Sequence, residues 1–141
     1  MNLLYDFMNP VVKKIGFEDV LPATKTPPGY ILINTLSQDK QSCLIYGTIP
    51  AKKEEEILNG LLEQFDVGSY RIIVYGQHSV DDSADAKYRQ LKSLGFEHVY
   101  VYGGGLFEWL LLQEVYGAGE FKTQGKCSDI LSYRVPSLLS K

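Results

Sequence analysis

The sequence predicts a single α/β domain with a mostly parallel sheet that is covered by helices on both faces. Three apolar runs, at residues 30–34, 71–75 and 98–102, have the near-continuous hydrophobicity of strands buried on both faces. Segments with helical spacing alternate with these runs, and this alternation is typical of parallel strands joined by crossover helices. The 141 residues contain no linker or low-complexity tract and are enough for one core.

Ahead of the first strand, the chain carries apolar residues at helical spacing and then a turn rich in proline. Residues 1–16 predict a short N-terminal helical extension that docks on the domain, with Pro10 ending the helix. Residues 17–21 predict one helical turn, and the prolines and glycine of residues 22–29 predict a loop. After the first strand, residues 43–46 predict a second short strand that a glycine closes.

Two amphipathic helices are predicted in the middle of the chain. In residues 51–66 the apolar side chains fall on one stripe, and three glutamates lie in the first turns, near the positive end of the helix dipole. We interpret this acidic run as a solvated face. Residues 81–94 predict the second helix, and Gly95 fits the left-handed position that follows a helix end.

The last third of the chain predicts a glycine turn, a helix and a tail. Residues 103–105 are all glycine and suit a tight turn, and residues 106–116 predict a helix that is apolar on most of its surface and therefore largely buried. In the tail, residues 129–133 predict one last turn. The predicted organisation is an N-terminal helical extension (residues 1–16), a main domain (17–116) and a C-terminal extension (117–141).

Charge and composition argue against several classes of partner. The net charge is −3 and only three residues are arginine, so the sequence predicts neither nucleic-acid binding nor a polybasic membrane anchor. The longest apolar run, residues 109–112, is too short to span a bilayer, and the N-terminus lacks the pattern of a secretory signal. We therefore expect a cytoplasmic protein without a membrane partner.

No spacing in the sequence predicts a cofactor or a metal ion. Cys43 and Cys127 lie far apart and in no metal-ligand pattern. Two cysteines allow a structural disulfide, but no pattern supports one, and two thiols in a reducing compartment are the simpler interpretation. The glycines at residues 103–105 lack the G-x-G-x-x-G spacing of a dinucleotide site.

Several short segments, in their order along the chain, resemble the rhodanese-like (sulfurtransferase) domain. These segments are Ile31-Leu32-Ile33-Asn34, Gly47-Thr48-Ile49-Pro50-Ala51, Ile72-Ile73-Val74-Tyr75, Leu91 to Phe96, Val99-Tyr100-Val101-Tyr102, and Gly104-Gly105 with Trp109. Each segment alone is weak evidence, whereas the order of all of them is fairly specific. The resemblance covers residues 17–116 and implies a compact parallel-sheet domain of rhodanese type.

The resemblance implies that catalysis would centre on the residue that directly follows the strand at residues 71–75. Enzymes of this family carry a cysteine there, and its thiolate takes up the transferred sulfur as a persulfide. This chain has Gly76 at that position, where no thiolate and no covalent intermediate can form. The region also carries Asp81 and Asp82 instead of an assisting arginine. Two carboxylates at a helix start would satisfy its free N–H groups and repel an anionic substrate.

The loop between this strand and the next helix is the predicted binding surface, because ligands of open α/β sheets bind at the carboxyl edge. It consists of Gly76, Gln77, His78, Ser79, Val80, Asp81 and Asp82. His78 is the only side chain of the loop that could act as a base near neutral pH. We interpret it as a surface histidine with local hydrogen bonds, because residues adjacent in sequence rarely form a catalytic triad.

The sequence therefore predicts a catalytically inactive rhodanese-like domain that serves as a protein-binding or regulatory module and not as an enzyme. One alternative is a sulfurtransferase that uses Cys43 or Cys127 as a displaced nucleophile. Another is a structural subunit of a larger assembly. We expect a protein partner and no cofactor, and the sequence leaves the oligomeric state open.

Overall fold

The predicted alternation of strands and helices is present in the structure, a computed structural model that describes residues 11–26, 28–127 and 129–140. The strands are β1 (Lys14–Ile15), β2 (Tyr30–Asn34), β3 (Cys43–Ile45), β4 (Arg71–Tyr75), β5 (Val99–Tyr102) and β6 (Thr123–Gly125). The helices are α1 (Phe17–Lys25), α2 (Ala51–Glu63), α3 (Ser83–Ser93) and α4 (Gly105–Tyr116), with 3₁₀ turns at Gln38–Lys40 and Ile130–Tyr133. The last 3₁₀ turn confirms the predicted turn in the tail.

The main sheet consists of parallel strands in the order β1-β5-β4-β2. All five residues of β2 pair in register with β4, ending with Asn34 opposite Tyr75. On the other side of β4, Tyr75 lies opposite Tyr102 of β5. Because parallel strands end at one edge, the segments that follow these three residues meet at the carboxyl edge of the sheet. The α/β fold class with a mostly parallel sheet is confirmed.

Each face of the main sheet has its own apolar core, as the near-continuous hydrophobicity of the strands requires. On one face, alternate strand residues pack with α2 and α3; on the other, they pack with α1, α4 and β3. In the second core the Trp109 side chain is fully buried, and its ring lies edge-on to the rings of Tyr102 and Phe121. Both faces are therefore covered by helices, as predicted.

A small antiparallel sheet of β3 and β6 attaches the C-terminal segment to the domain. The sequence does not reveal β6, because its three residues are Thr-Gln-Gly. Gln124 fixes the pairing with its side chain: its Oε1 accepts from the Gly47 N–H at 3.0 Å, and its Nε2 donates to the Thr48 carbonyl at 3.0 Å. Gly125 has φ +84°, and a Cβ there would collide with the Ser42 carbonyl, so this position requires glycine.

Cys43 and Cys127 form a disulfide beside this small sheet, with Cα atoms 5.0 Å apart. The interpretation of the two cysteines as free thiols is therefore wrong. They lie 84 residues apart, and they come together because β3, which contains Cys43, pairs with β6, which ends two residues before Cys127. Since β6 has no hydrophobic pattern, the sequence could not show that the sulfurs are neighbours.

The described part of the N-terminal extension contains a strand that the sequence did not reveal. Lys14 and Ile15 form β1, an edge strand parallel to β5. The main-chain pairing continues beyond it, because the Val101 N–H donates to the Lys13 carbonyl at 2.9 Å. The predicted N-terminal helix, which Pro10 would end, lies outside the described residues.

The helix α1 is longer than the single turn that the sequence predicts, and it continues through Pro22 into the predicted loop. Proline in a helix removes one hydrogen bond and normally favours its end. Here Val20, Ala23 and Thr24 are buried against the sheet, and this burial keeps the segment helical. The Thr24 hydroxyl adds a hydrogen bond to the Leu21 carbonyl at 2.8 Å.

The other helices begin and end within a few residues of their predicted bounds, and Gly95 adopts the predicted left-handed conformation with φ +104°. The prediction that α4 is largely buried is wrong for its last turn, where Val115 is 72% and Tyr116 66% exposed. Within the described residues, no helix combines the length and the hydrophobicity that a membrane crossing requires.

Candidate functional site

The predicted binding loop, residues 76–82, lies at the carboxyl edge of the main sheet between β4 and α3. Its backbone is bound to the start of α4: the Gly76 carbonyl accepts from the Leu106 N–H at 3.0 Å, and the Gln77 carbonyl accepts from the Phe107 N–H at 2.9 Å. The first N–H groups of a helix have no partner within the helix and commonly bind anions. In α4, carbonyls of the loop occupy two of these groups.

The contact between the loop and α4 depends on Gly105, the first residue of the helix. Gly105 has φ +70°, and a Cβ built there would lie 2.9 Å from both the Gly76 carbonyl oxygen and the His78 nitrogen. Only glycine allows this conformation and this approach. The glycine turn predicted at residues 103–105 is thus confirmed, and its last residue is the one that the loop contacts.

The Asp81 carboxylate is the centre of the hydrogen bonds within the loop. Its Oδ2 accepts from the Gln77 N–H at 3.0 Å, and its Oδ1 accepts from the Ser83 N–H at 3.0 Å. Burial raises the pKa of Asp81, but the hydrogen bonds from Gln77 and Ser83 outweigh it and hold the pKa below the ordinary value. The carboxylate is therefore ionised at neutral pH and uses the N–H groups that an anion would need.

The same carboxylate fills the space beside Gly76. A Cβ built on Gly76 would lie 2.8 Å from Asp81 Oδ2 and 3.4 Å from Thr35 Oγ1. Thr35 follows β2 at the same edge, and its hydroxyl is hydrogen-bonded to Ser83 Oγ at 2.7 Å. A side chain at position 76 would therefore have to displace Asp81 and break its hydrogen bonds.

Asp82 does not share the role of Asp81. It precedes α3 as the residue before the first helical turn, but its side chain makes no capping hydrogen bond. The expectation that both carboxylates satisfy the helix start is therefore correct for Asp81 and wrong for Asp82. The helix begins two residues later than predicted, at Ser83, because Asp81 forms a turn with the Ser83 N–H.

The middle of the loop faces solvent. The Val80 N–H donates to His78 Nδ1 at 3.2 Å, which is the local hydrogen bond expected for a surface histidine. The Val80 side chain is 68% exposed, and Ser79 is exposed as well. The carboxylate of Asp81 bonds to Gln77 and Ser83, so the structure does not assemble Ser79, His78 and Asp81 into a hydrogen-bonded triad.

The C-terminal segment contacts the loop, and the sequence gave no indication of this contact. The Ser132 carbonyl accepts from Gln77 Nε2 at 3.4 Å and from Lys40 Nζ at 3.0 Å. Lys40 Nζ also lies 5.4 Å from the centre of the Tyr133 ring, and Tyr133 is only 5% exposed. The 3₁₀ turn at residues 130–133 therefore borders the predicted binding surface.

The two cysteines lie outside the loop. Cys43 is in β3 and fully buried, Cys127 is half-buried, and each sulfur is bonded to the other. The displaced-nucleophile alternative would therefore first require reduction of the disulfide. Tyr75, the residue before Gly76, points away from the loop: its buried hydroxyl bonds Thr48 Oγ1 at 2.6 Å, and burial raises the pKa of Tyr75 far above its ordinary value.

Within the described residues, no group of three or more His, Cys, Asp or Glu side chains is placed to hold a metal ion. The fold and the position of the loop define the protein as a small α/β domain with a candidate site between a strand and a helix. The profile of the rhodanese-like domain family matches residues 33–112, more than half of the chain. The chain therefore belongs to the rhodanese-like domain family.

Solved structures with a similar fold come from several bacteria. The rhodanese-like domain of the Alr3790 protein from Anabaena is 20% identical over 93% of this chain and 96% of its own, with a TM-score of 0.55. The BH2092 protein from Bacillus halodurans is 20% identical over 84% of this chain and 81% of its own, with a TM-score of 0.53. A Rhodopseudomonas palustris protein of unknown function, described as a possible tyrosine phosphatase, is 13% identical over 79% of this chain and 87% of its own, with a TM-score of 0.54. At these identities the similarity shows the fold. No curated protein matches the chain.

Proposed function

We propose that this chain is a non-catalytic rhodanese-like domain that binds a protein partner through the loop at residues 76–82. The observation that carries the proposal is the Asp81 carboxylate, which occupies the space beside Gly76 and accepts hydrogen bonds from Gln77 and Ser83. By the resemblance of the segments, Gly76 stands where enzymes of the family carry their sulfur-accepting cysteine. The position therefore lacks both the nucleophile and the room for it.

The electrostatics of the loop also disfavour the anionic substrates of sulfurtransferases. Asp81 is ionised at neutral pH, and its charge lies where the thiolate and the anion would meet. The negative charge of Asp81 would repel an anionic substrate beside it and raise the free energy of the bound state. The N–H groups of Gln77 and Ser83 could otherwise donate to a bound anion and offset this repulsion, but they already donate to Asp81.

The same hydrogen bonds make the loop a well-ordered surface. Its ends are fixed by Asp81 and by the contacts with Leu106 and Phe107, while Val80 stays exposed at its centre. A preorganised loop loses little conformational entropy when a partner binds. An exposed apolar side chain surrounded by polar ones suits the centre of a protein contact.

A sulfurtransferase assay with thiosulfate and cyanide tests the loss of catalysis. We expect no turnover above the uncatalysed rate for the natural chain. We expect none for Gly76→Cys either, because the shifted Asp81 carboxylate still lies near the new sulfur and repels an anionic substrate. Gly76→Cys combined with Asp81→Gly is the matched comparison. Turnover by the natural chain that survives Cys43→Ala and Cys127→Ala would contradict the proposal.

Site-specific photo-crosslinking tests the binding role. A photoreactive residue at position 80 should capture one defined protein in the source cell, and the same residue at exposed position 55 should not. The purified partner should then bind the natural chain, and Val80→Asp should weaken the binding about tenfold or more, as for a central contact residue. Equal binding of the Val80→Asp variant would contradict the choice of the loop as the binding surface.

We propose that the domain acts in the cytoplasm, the location that we expect from the sequence. Cytosolic disulfides are usually transient and redox-active, because cellular thiols keep most cysteines reduced. In that compartment the Cys43–Cys127 bond would be reversible. The alternative of a structural subunit in a larger assembly stays a prediction, which native mass spectrometry of the purified protein tests.

A further inference from the structure

The segment after β6 is tied to the domain by a disulfide, by hydrogen bonds and by the burial of Tyr133 in the core. We call residues 126, 127 and 129–134 the C-terminal arm. At its start, the Lys126 N–H donates to the Ser42 carbonyl at 3.0 Å and Cys127 is bonded to Cys43. At its end, the Ser132 carbonyl accepts from Lys40 and from Gln77 of the binding loop. The disulfide and the loop therefore hold the same short segment.

The two sulfurs of the disulfide differ in their access to solvent. Cys43 is 0% exposed within the core, whereas Cys127 is half-buried at the surface. The neighbouring Lys126 is exposed and adds a positive charge beside Cys127. Cys127 is therefore the more accessible of the two residues to an incoming thiolate, while Cys43 Sγ is screened by the core.

We propose that the Cys43–Cys127 bond is a thiol-exchange site for small thiols of the glutathione type, and that its reduction releases the C-terminal arm from the binding loop. The exchange at the disulfide stands independently of the proposed function. The regulatory meaning rests on that function, because release of the arm uncovers Gln77 of the proposed binding surface.

The exchange proceeds in two balanced steps. A thiolate RS⁻ attacks Cys127 Sγ, a mixed disulfide R–S–S–Cys127 forms, and Cys43 leaves as a thiolate that takes a proton to become a thiol. A second thiol then attacks the R sulfur of the mixed disulfide and releases Cys127. The sum is protein disulfide plus two RSH giving protein dithiol plus RSSR, and an excess of RSSR reverses it.

The coupling between the bond and the loop follows from the contacts at the Ser132 carbonyl. Lys40 and Gln77 donate to this carbonyl when the arm is docked, and the disulfide and the buried Tyr133 side chain both hold the arm in that position. If reduction undocks the arm, these hydrogen bonds stabilise the oxidised form only. By reciprocal linkage, removing them must then make the disulfide easier to reduce.

A redox titration of the full chain tests both the exchange and the coupling. The protein is equilibrated in buffers of reduced and oxidised glutathione, and the free thiols are counted by mass after alkylation. For Gln77→Leu and Lys40→Met we expect the equilibrium constant for oxidation to fall about three- to tenfold, the effect of one lost hydrogen bond. The matched controls Lys52→Met, on the exposed surface of α2, and Gln64→Leu, at the exposed residue directly after α2, should leave it unchanged.

Two results of this titration would overturn the proposal. One is a disulfide that glutathione reduces only after the protein has been unfolded. The other is an equal equilibrium constant for Gln77→Leu, Lys40→Met and the two controls. Sulfurtransferase turnover would remove the proposed function and leave the titration valid, whereas an inert disulfide would remove this inference alone.

The release of the arm can be observed directly on the natural chain in its oxidised and reduced forms. The side-chain amide signals of Gln77, assigned by their loss in Gln77→Leu, should move to solvent-exposed positions in the NMR spectrum after reduction. Those of Gln113, which donates to the Phe121 carbonyl at 2.8 Å, should stay. Trypsin should cleave after Lys126 about tenfold faster in the reduced form, since cleavage follows the open population. Unchanged signals and an unchanged cleavage rate would overturn the release of the arm.

Discussion

The main sheet and the small sheet of β3 and β6 are stabilised in different ways. The main sheet is held by many interchangeable apolar contacts on two faces, and its strands β2 and β4 have the bounds that the sequence predicts. In the small sheet, β3 belongs to the apolar core on one face of the main sheet, whereas β6 is held to it by single contacts: the Gln124 side chain, the glycine at position 125, and the bond between Cys43 and Cys127. A hydrophobic pattern therefore specifies the main sheet, whereas individual residues specify the pairing of β6 with β3.

This difference has a consequence for stability. A core of many contacts spreads the effect of a change over its neighbours, and its loss unfolds the whole domain. A segment that depends on a few contacts can open locally while the domain stays folded. The binding loop lies at the junction, because Gly76 continues β4 and Gln77 contacts the C-terminal arm.

The largest effect is expected in the main sheet. Ile33 is 0% exposed at the centre of β2, and Ile33→Ala should lower the free energy of unfolding by about 3 kcal/mol through lost burial and a cavity. Chemical denaturation followed by tryptophan fluorescence and by circular dichroism should give one coincident transition. Two separate transitions would show that the main sheet is not a single cooperative unit.

A smaller and local effect is expected in the small sheet. Gly125→Ala places a Cβ at positive φ against the Ser42 carbonyl and should cost about 2 kcal/mol. We expect hydrogen exchange to accelerate in residues 123–126 and to stay slow in β4. Gly119→Ala is the matched control, because a Cβ there meets nothing within 4 Å. Equal acceleration of hydrogen exchange in β4 would contradict the inference that the small sheet can open while the main sheet stays folded.

At the junction, a double-mutant cycle measures the competition for the space beside Gly76. Gly76→Ala should cost about 1–2 kcal/mol, because the new Cβ displaces the Asp81 carboxylate from its two donors. Asp81→Gly should cost a similar amount. The double variant should cost less than the sum, because the methyl group then meets no carboxylate. Additive costs would show that the two residues do not compete.

The smallest effect concerns the pH dependence of stability. Because hydrogen bonds hold the pKa of folded Asp81 below its ordinary value, Asp81 contributes stability above that ordinary pKa. The contribution is lost as the pH falls through the folded pKa. Solvent reaches the carboxylate, so we expect only about 0.5 kcal/mol. The difference in unfolding free energy between the natural chain and Asp81→Asn should shrink between about pH 6 and about pH 2. A constant difference would contradict the role of the charge.

The sequence predicted the strands and turns that depend on a hydrophobic pattern or on a glycine at a helix end. The runs at residues 30–34 and 71–75 became strands with those bounds, and Gly95 took its left-handed conformation. It also placed residues 76–82, the candidate binding loop, between a strand and a helix, because the hydrophobic patterns of both elements could be recognised.

The sequence could not predict what depends on contacts between distant polar residues. Nothing near Ser132 shows that its carbonyl meets Gln77 and Lys40, and nothing near Cys127 shows that it meets Cys43. At Pro22 the sequence predicted a loop, because proline disfavours a helix interior. The tertiary burial of α1 outweighs this preference and keeps the segment helical. Asp81 and Asp82 looked equivalent in sequence, and only the geometry of the turn distinguishes them.

The carboxylate beside Gly76 also limits how this loop can evolve. A cysteine at position 76 gains room only after Asp81 has been replaced, and the replacement of Asp81 alone gives up two hydrogen bonds. Either substitution, taken first, is expected to lower the free energy of unfolding, so changes at the two positions are coupled. The Gly76–Asp81 pair therefore constrains this loop against the gain of a cysteine at position 76 by a single substitution.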